Sequence, residues 1–194
     1  MSMPDDLTQQ ITFLKEIDKL KSVVRKSPLI DQSRKENSAE HSWHLAMYAL
    51  ILKDAADETI NVDRVIKMLL IHDIVEIDAG DHPIHETGDT TAQDLAEQHA
   101  AERLFGLLPQ NQGETLTALW HEFEAGQSPD ARFAKSLDRL QPLVHNVETQ
   151  GGTWNEGNVS REQVTTRYGQ VIEKGSKRLW QAASHWVEQH FTKK

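Results

Sequence analysis

The segment 69–81, LLIHDIVEIDAGD, places ionisable side chains where the apolar spacing of a helix calls for buried ones. Asp73 falls on the apolar stripe of this helix, and an unpaired buried carboxylate costs on the order of several kcal/mol, so it needs a cation or a metal ion. At about 100° per residue, His72 lies beside Asp73 and Glu76 lies one turn further on. Three polar groups of one helix therefore face the same place.

Two residues from other helices could complete a metal site. His41 lies in the first turn of its helix, in register with apolar positions, and Asp138 lies at the edge of another apolar face. His41, His72, Asp73 and Asp138 would supply two nitrogens and two oxygens, a set that suits Mn, Fe, Co, Ni, Zn or Mg better than a thiolate-seeking metal. With two positions left for water, such a site is hydrolytic in type, because the ion lowers the pKa of water and polarises a phosphoryl oxygen.

Each of these residues has an ordinary structural explanation when it is taken alone. A single histidine on a helix is more often part of the core or the surface than a ligand, and a His-Asp dipeptide arises by chance in many proteins. Glu76 and Asp81 alone would be interpreted as solvated charges. Only the combination favours a metal site.

The elements that must position these residues are predicted to be helices. Apolar spacing is helical almost throughout, without sustained period-2 alternation, so we expect an all-α fold, a compact bundle of about seven or eight helices. One domain is expected over 1–194, with a motif-bearing core at about 20–150 and C-terminal helices at 160–191 packed on it. The predicted irregular segments are 25–37, 79–90 and 150–159.

Capping signals open most of the predicted helices: Asn37 with Glu40, Asn61, Thr91 with Asp94, Ser128 before Pro129, and Ser160 with Gln163. The helices are expected at roughly 5–24, 38–56, 62–80, 91–108, 112–125 and 129–149, followed by one from 160 and a last one at 176–191.

The composition excludes several classes of partner. Twenty-one basic and 30 acidic residues give a net charge of −9, so a nucleic-acid polymer or an anionic membrane surface is not an expected partner. No apolar run approaches the roughly 18–20 residues that span a bilayer, and the N-terminus lacks the pattern of a signal peptide. The absence of cysteine fits a reducing compartment. We therefore expect a soluble cytoplasmic protein.

Three segments resemble the HD-domain metal-dependent phosphohydrolases: ENSAEHSWHLA, IHDIVEIDAGD and AKSLDRLQPL. The order of ligands in that family, His, His-Asp and Asp, is matched at His41, His72-Asp73 and Asp138. The likeness covers roughly 20–150 and is greatest to the single-domain branch related to bacterial 5′-deoxynucleotidases. It implies an all-helical fold, one divalent metal ion held by those four residues, and often a homodimer.

The resemblance also implies roles for residues around the metal. Glu76 and Asp81 match the two acidic positions of that branch and are expected to be catalytic. Arg25 stands at about the position of an arginine that meets the substrate phosphate, but Lys26 follows it where the branch has a tryptophan near the sugar, which puts a strict deoxynucleoside preference in doubt. Lys135, one turn before Asp138, could face the same cleft and bind substrate.

The segment DHPIHETGD is expected to form a lid, in which His82 and His85 are interpreted as ordinary loop residues. Some HD enzymes hold a second metal through two further histidines. His99 and His121 have a possible spacing for this, but their flanking sequences differ from the binuclear subfamilies.

The interpretation favoured by these residues is a metal-dependent phosphohydrolase acting on a small phosphomonoester, with a (deoxy)nucleoside 5′-monophosphate as the favoured substrate. Phosphoryl transfer needs mainly positioning and charge stabilisation, which these residues could supply. The alternatives are a phosphodiesterase or nucleoside triphosphatase on the same site, a catalytically quiet nucleotide-sensing module, and a purely structural helical dimer.

Overall fold

The computed structural model describes residues 5–82 and 90–192, which are mostly helical. Its α-helices are α1 Asp6–Ile17, α2 Ser38–Leu52, α3 Val62–Ile71, α4 Glu76–Ala79, α5 Thr90–Phe105, α6 Gln110–Ala125, α7 Pro129–Glu148, α8 Gly152–Glu156, α9 Arg161–Val164, α10 Gln170–Gly175 and α11 Lys177–Thr192. Two short strands, β1 Val24–Pro28 and β2 Lys35–Asn37, and several 3₁₀ or π-helical turns are also described.

The capping signals place several helix starts correctly. Asn37 and Glu40 form a reciprocal capping box at the start of α2, and Asn61 accepts a hydrogen bond from the Arg64 backbone at the start of α3. Ser128 caps α7, with Pro129 at the first position. Each cap satisfies backbone N–H groups that have no partner within the helix.

The prediction of an exclusively helical chain is wrong at one place. Within the segment 25–37, expected to be irregular, β1 and β2 pair antiparallel, with Val24 opposite Asn37 and Pro28 opposite Lys35. Strands of five and three residues are too short to show a period-2 pattern, which explains why the sequence did not reveal them. This two-stranded ribbon of β1 and β2 follows α1 and a 3₁₀ turn, and it ends where α2 begins. It thus leads the chain to the helix that carries the first predicted metal ligand.

The helix expected at 62–80 is also divided. After α3 the chain tightens into a 3₁₀ turn at His72–Val75, in which all four residues are buried, and α4 then follows. Gly80, at φ 82°, ends α4 in a conformation that glycine adopts without strain. Elsewhere, a 3₁₀ turn at Asp18–Ser22 ends the first helix early, and α8 lies in the predicted loop 150–159. The described helical segments are therefore more numerous than predicted.

The core is built around α7. Helix α3 packs against both α2 and α6, all three contact α7, and α10 and α11 also pack on α7. The buried apolar side chains form one cluster that includes Leu45, Leu69, Phe133 and Ile172. The single domain stays a prediction, but the C-terminal helices contribute to the same cluster as the motif-bearing ones. Within the described ranges, no helix has the length and apolarity to cross a membrane.

Candidate metal centre and cleft

The four predicted metal ligands meet at one buried point. His41 comes from the first turn of α2, His72 and Asp73 from the 3₁₀ turn after α3, and Asp138 from the middle of α7. His41 Nε2 lies 3.0 Å from Asp138 Oδ1 and 4.0 Å from Asp73 Oδ2. His72 Nε2 lies 3.0 Å from Asp73 Oδ1 and 3.5 Å from Asp138 Oδ1. The two imidazoles and two carboxylates thus point at each other across a small volume.

The other nitrogen of each imidazole is held by an acceptor. His72 Nδ1 donates to the Leu69 carbonyl at 2.9 Å, and His41 Nδ1 donates to Gln141 Oε1 at 3.1 Å. In a neutral imidazole this leaves the lone pair on Nε2, the nitrogen that faces the carboxylates. His72 Nε2 is buried and makes no well-formed hydrogen bond within 5–82 and 90–192. Such donors fit a divalent metal ion.

The electrostatics of this cluster also call for a cation. Burial acts to raise the pKa of Asp73, but the charges of His72 and Arg25 outweigh it and lower that pKa to about 2. Burial likewise acts against ionised Asp138, yet Arg139 and the two histidines hold its pKa well below the usual range. Burial acts to lower the pKa of His72, but Asp73 and Asp138 raise it to about 10. Without an ion, the imidazole proton supplies the positive charge that the carboxylates demand.

The 3₁₀ turn explains why Glu76 shares the cleft with Asp73. With three residues per turn, side chains three positions apart eclipse each other, so Glu76 lies over Asp73. Glu76 Oε2 accepts a hydrogen bond from the Ser38 hydroxyl at 2.5 Å. Burial, reinforced by Asp73, raises the pKa of Glu76 to about 9. The continuous α-helix predicted from the sequence also directed Glu76 toward this cleft, but it aligned Glu76 with Asp73 less closely than the 3₁₀ turn does.

Arg25 on β1 is a cation in the middle of this acidic group, and its side chain is only 12% exposed. Its Nη1 donates to Asp73 Oδ2 at 2.9 Å and lies 3.5 Å from Asp81 Oδ1 and 3.7 Å from Glu76 Oε1. Burial raises the pKa of Asp81, although Arg25 opposes this effect. The structure therefore brings Arg25, Glu76 and Asp81 to the four predicted ligands. Their roles stay predictions.

An open cleft of about 480 Å³ leads from solvent to the metal ligands. Lys135 lines it, but its ammonium is paired with Glu124 Oε2 at 3.2 Å. Arg139 also lines it and donates to Asp138 Oδ2 at 2.5 Å. Sequence reasoning missed Arg139, although it directly follows the last ligand. Lys26, which stands where the related branch has tryptophan, is a further lining residue.

The remaining histidines named from sequence lie elsewhere. His82 is exposed and lines the outer part of the cleft, while His85 and most of the expected lid, 83–89, lie outside the described residues. His99 and His121 are exposed, and His121 lines a separate groove between α5 and α6. Neither belongs to the described groups of side chains that could hold a metal ion, Glu36–His44–His145 and His41–His72–Asp73.

Comparison with known proteins identifies the family of the chain. The model of the HD domain family matches residues 17–180, so the chain belongs to the HD-domain family. The 5′-deoxynucleotidases HDDC2 of Bos taurus and Homo sapiens are 30% and 28% identical over 139 residues, which are 71% of this chain and 66% and 67% of those proteins. The sequence-based prediction of this family, and of a likeness to 5′-deoxynucleotidases, is confirmed.

A solved structure is considerably more similar. The crystal structure of a predicted metal-dependent phosphohydrolase from Magnetospirillum magnetotacticum MS-1 is 51% identical, with a TM-score of 0.92. The match covers 96% of this chain and 93% of that chain. The likeness therefore extends over the C-terminal helices as well as the motif-bearing part. The curated relatives, in contrast, are matched over about two thirds of their own length.

Proposed function

We propose that the protein is a metal-dependent phosphohydrolase that removes phosphate from deoxynucleoside 5′-monophosphates. The observation that carries this proposal is the convergence of four buried ligands with a largely buried arginine, Arg25, at the end of one open cleft. The names of the relatives, 5′-deoxynucleotidases and a metal-dependent phosphohydrolase, point to the same chemistry.

We propose that His41, His72, Asp73 and Asp138 hold one divalent ion per chain. When bound, such an ion activates a water molecule for attack and polarises a phosphoryl oxygen. Two observations support the fit: both Nε2 atoms face the carboxylates while both Nδ1 atoms are engaged by acceptors, and the ligand atoms of His41, His72 and Asp73 lie within 4.8 Å of one another. Nitrogen and oxygen donors in this ratio leave Mn, Fe, Co, Ni, Zn and Mg as candidates.

Three residues near the metal ligands have separate roles in the proposed reaction. The guanidinium of Arg25 binds the phosphate oxygens and orients phosphorus toward the attacking water. A water oxygen forms a bond to phosphorus, the bond from phosphorus to the 5′ oxygen breaks, and a proton passes from the water to that leaving oxygen. Glu76 exchanges this proton, since a carboxyl with a raised pKa suits proton transfer near neutral pH. Asp81, across from Arg25, positions the water or the sugar hydroxyls.

The charges of the cleft favour a monophosphate over a triphosphate. Its described lining contains eight carboxylates and four cations. Two of these cations already have a carboxylate partner, Lys135 with Glu124 and Arg139 with Asp138, and Arg25 faces three. A triphosphate, with its larger negative charge, would meet more repulsion than a monophosphate. For the same reason, the triphosphatase is the weaker alternative.

The test is phosphate release from a panel of nucleotides. Purified protein loaded with Mn²⁺ or Co²⁺ is offered the four deoxynucleoside 5′-monophosphates, their ribose counterparts, the triphosphates and a cyclic dinucleotide. The Asp73→Ala variant, purified in parallel, controls for contaminating phosphatases. We expect release from the deoxynucleoside monophosphates, at least tenfold faster than from the triphosphates. Ribonucleotides are the informative comparison, because Lys26 stands where the related branch has tryptophan.

Three outcomes would contradict the proposal. Turnover confined to triphosphates or to the cyclic dinucleotide would move the protein to the first alternative. Tight nucleotide binding without turnover under every metal would make it a sensing module. Absence of both would leave only a structural role.

A homodimer stays a prediction. On α2, Trp43, Met47 and Ile51 lie at four-residue intervals and are 62%, 38% and 73% exposed. Exposed apolar side chains at that spacing are compatible with a contact between chains. Sedimentation velocity of the wild type and of Trp43→Glu decides this, since a monomer at all concentrations would refute the prediction.

A further inference from the structure

Behind His41, on the side away from the cleft, lies a group of buried polar side chains that the proposed reaction does not use. Glu36 on β2 and Gln141 and His145 on α7 are 2%, 0% and 2% exposed. We infer that Glu36 and Gln141 are positioning residues, which hold His41 in the one imidazole tautomer that presents Nε2 to the metal. The inference rests on the proposed metal site, but not on the identity of the substrate.

The orientation of the Gln141 amide is set by acceptors on its NH₂ side. Gln141 Nε2 lies 2.8 Å from Glu36 Oε1, 3.1 Å from His145 Nε2 and 3.4 Å from His44 Nδ1. A carboxylate can only accept. His145 Nδ1 donates to the Pro28 carbonyl at 3.1 Å, so a neutral His145 accepts at Nε2. A flipped amide would turn its oxygen toward these acceptors, which is unfavourable.

With its NH₂ group fixed in this way, Gln141 must turn Oε1 toward His41. Oε1 lies 3.1 Å from His41 Nδ1 and can only accept, so Nδ1 carries the proton. Glu36 Oε2, buried and otherwise without a hydrogen bond in the described residues, lies 3.5 Å from the same Nδ1. Two acceptors therefore face one nitrogen, and the lone pair of His41 is left on Nε2.

The same geometry argues against a second metal ion at this place. Ligand atoms of Glu36, His44 and His145 lie within 4.8 Å of one another, a spacing that a metal ion could use. The amide nitrogen of Gln141 lies between them, at 2.8–3.4 Å from all three. The two N–H donors of this amide already satisfy the two nearest acceptors, Glu36 Oε1 and His145 Nε2, that an ion would need.

The ribbon extends this chain of hydrogen bonds to the substrate side. Glu36 lies on β2, which pairs with β1, the strand that carries Arg25. Pro28, whose carbonyl orients His145, also lies on β1. The ribbon thus contributes both the proposed phosphate ligand and the groups that orient one metal ligand.

The experiment compares two changes at Gln141 with a matched control. Gln141→Met has a similar size but no acceptor for His41, whereas Gln141→Glu, sharing one proton with Glu36 across the 2.8 Å contact, retains both an acceptor for His41 and a donor toward Glu36. Asn146→Leu makes an amide-to-apolar change one turn further along α7, where the amide oxygen accepts from Thr153 and Trp154 and so anchors α8. Each variant is measured in two ways: the Co²⁺ dissociation constant, by absorbance titration, and the His41 Nδ1–H signal of Zn²⁺-loaded protein, by long-range ¹H–¹⁵N NMR, which is shifted downfield when Nδ1–H has a hydrogen-bond acceptor.

We expect the wild type to show a His41 Nδ1–H signal that is shifted downfield. Gln141→Met should lose the downfield shift of the Nδ1–H signal, because its acceptor is gone, and bind Co²⁺ about 10–100-fold more weakly, the usual effect of losing such an outer partner. Gln141→Glu should retain the shifted signal, and Asn146→Leu should lose thermal stability while retaining both this signal and the dissociation constant.

Three results would overturn the inference. The first is an unchanged Nδ1–H signal in Gln141→Met, and the second is a Co²⁺ affinity in that variant within threefold of the wild type. The third is two Co²⁺ ions per wild-type chain with one lost in His44→Ala, which would make the buried group a metal site. Failure of the wild type to bind any divalent ion would instead refute the proposed function, so the two failures are distinguishable.

Discussion

Two pairs of carboxylates share the cleft, and their surroundings affect ionisation in opposite directions. The inner pair, Asp73 and Asp138, has its pKa values lowered, to about 2 for Asp73. The outer pair, Glu76 and Asp81, has its pKa values raised, to about 9 for Glu76. Burial alone disfavours the charged form in all four, so burial does not explain the difference.

The difference lies in which neighbours each pair has. Both inner carboxylates contact imidazoles, and each accepts a direct hydrogen bond from a guanidinium, that of Arg25 for Asp73 and that of Arg139 for Asp138. The outer carboxylates share Arg25 at 3.5 Å and 3.7 Å and also face Asp73. When the environments of like groups push their pKa values apart, the groups are suited to different tasks. The inner pair is suited to binding a cation and the outer pair to carrying protons.

The largest effect should come from removing an inner carboxylate. Asp73→Ala takes away a proposed ligand and leaves His72 without its nearest anion, so we expect loss of bound metal and of all measurable activity. Metal analysis of the purified variant, with circular dichroism as a control for folding, is the measurement. An undiminished metal content would show that the inner pair does not hold the ion.

Replacing an outer carboxyl by an amide, which cannot exchange a proton, should leave metal binding intact. Glu76→Gln retains the size of the side chain and a hydrogen bond with Ser38, but it cannot exchange a proton. We expect near wild-type metal content and a kcat lower by about two orders of magnitude or more, since general acid–base catalysis contributes about 10²–10⁴.

Two other results for Glu76→Gln would each contradict a part of the comparison between the inner and outer carboxylates. Wild-type kinetics would make Glu76 a structural charge without a part in the reaction. Loss of metal would assign it to the inner group instead, as a ligand or as the partner of one.

Arg25, which touches both pairs, should affect substrate more than metal. Arg25→Ala removes the proposed phosphate contact, and kcat/KM should fall about 10–100-fold, the equivalent of one hydrogen bond to a charged group. Lys135→Ala is the matched control, because its ammonium already pairs with Glu124, and we expect a smaller loss. Steady-state kinetics on both variants test this order of effects. Equal losses of kcat/KM in the two variants, or no loss in Arg25→Ala, would contradict it.

The smallest effect is on stability against pH. His72 and Glu76 have folded pKa values raised above 6.5 and 4.5, to about 10 and about 9, so each contributes stability at low pH that is lost as pH rises through its folded pKa. The metal-free protein should therefore lose stability between about pH 4.5 and 10, first through Glu76 and above about pH 6.5 through both groups. In a chain of this size about 1 kcal/mol shifts the Tm by about 2–4 °C, so we expect a fall of several degrees.

Calorimetry with a chelator measures that fall, and the metal-loaded protein is the control, since it has the same surface charges. Glu76→Gln should show a shallower dependence than the wild type. A Tm of the metal-free protein that stays constant or rises over this range would contradict the pKa shifts.

The sequence predicted the helical frame and the position of the site for physical reasons that are local. Capping residues such as Asn37 and Ser128 act on the adjacent turn, so they can be identified without knowing the fold. Asp73 could be identified because a charge on an apolar stripe demands a partner. These inferences needed periodicity and short-range chemistry alone.

What the sequence did not reveal depends on distant contacts. Gln141 resembles any polar helix residue until Glu36 and His41, about a hundred positions away in sequence, are seen beside it. Arg139 follows Asp138 directly, but its orientation into the cleft depends on how α7 packs. The ribbon escaped detection because its strands are too short to carry a pattern. The 3₁₀ turn that aligns Glu76 with Asp73 likewise has no simple sequence signal.

The ligands of the metal centre come from parts of the chain that are far apart, and this bears on the kinetics of folding. His41 and Asp138 are separated by 97 residues, so the centre cannot form until α2, α3 and α7 have found each other. Contacts of such long range form late, because closing large loops loses entropy before any contact is gained. An ion bound there would stabilise the native state after the rate-limiting step. It would slow unfolding, prolonging the lifetime of the native protein, without making the chain fold any faster.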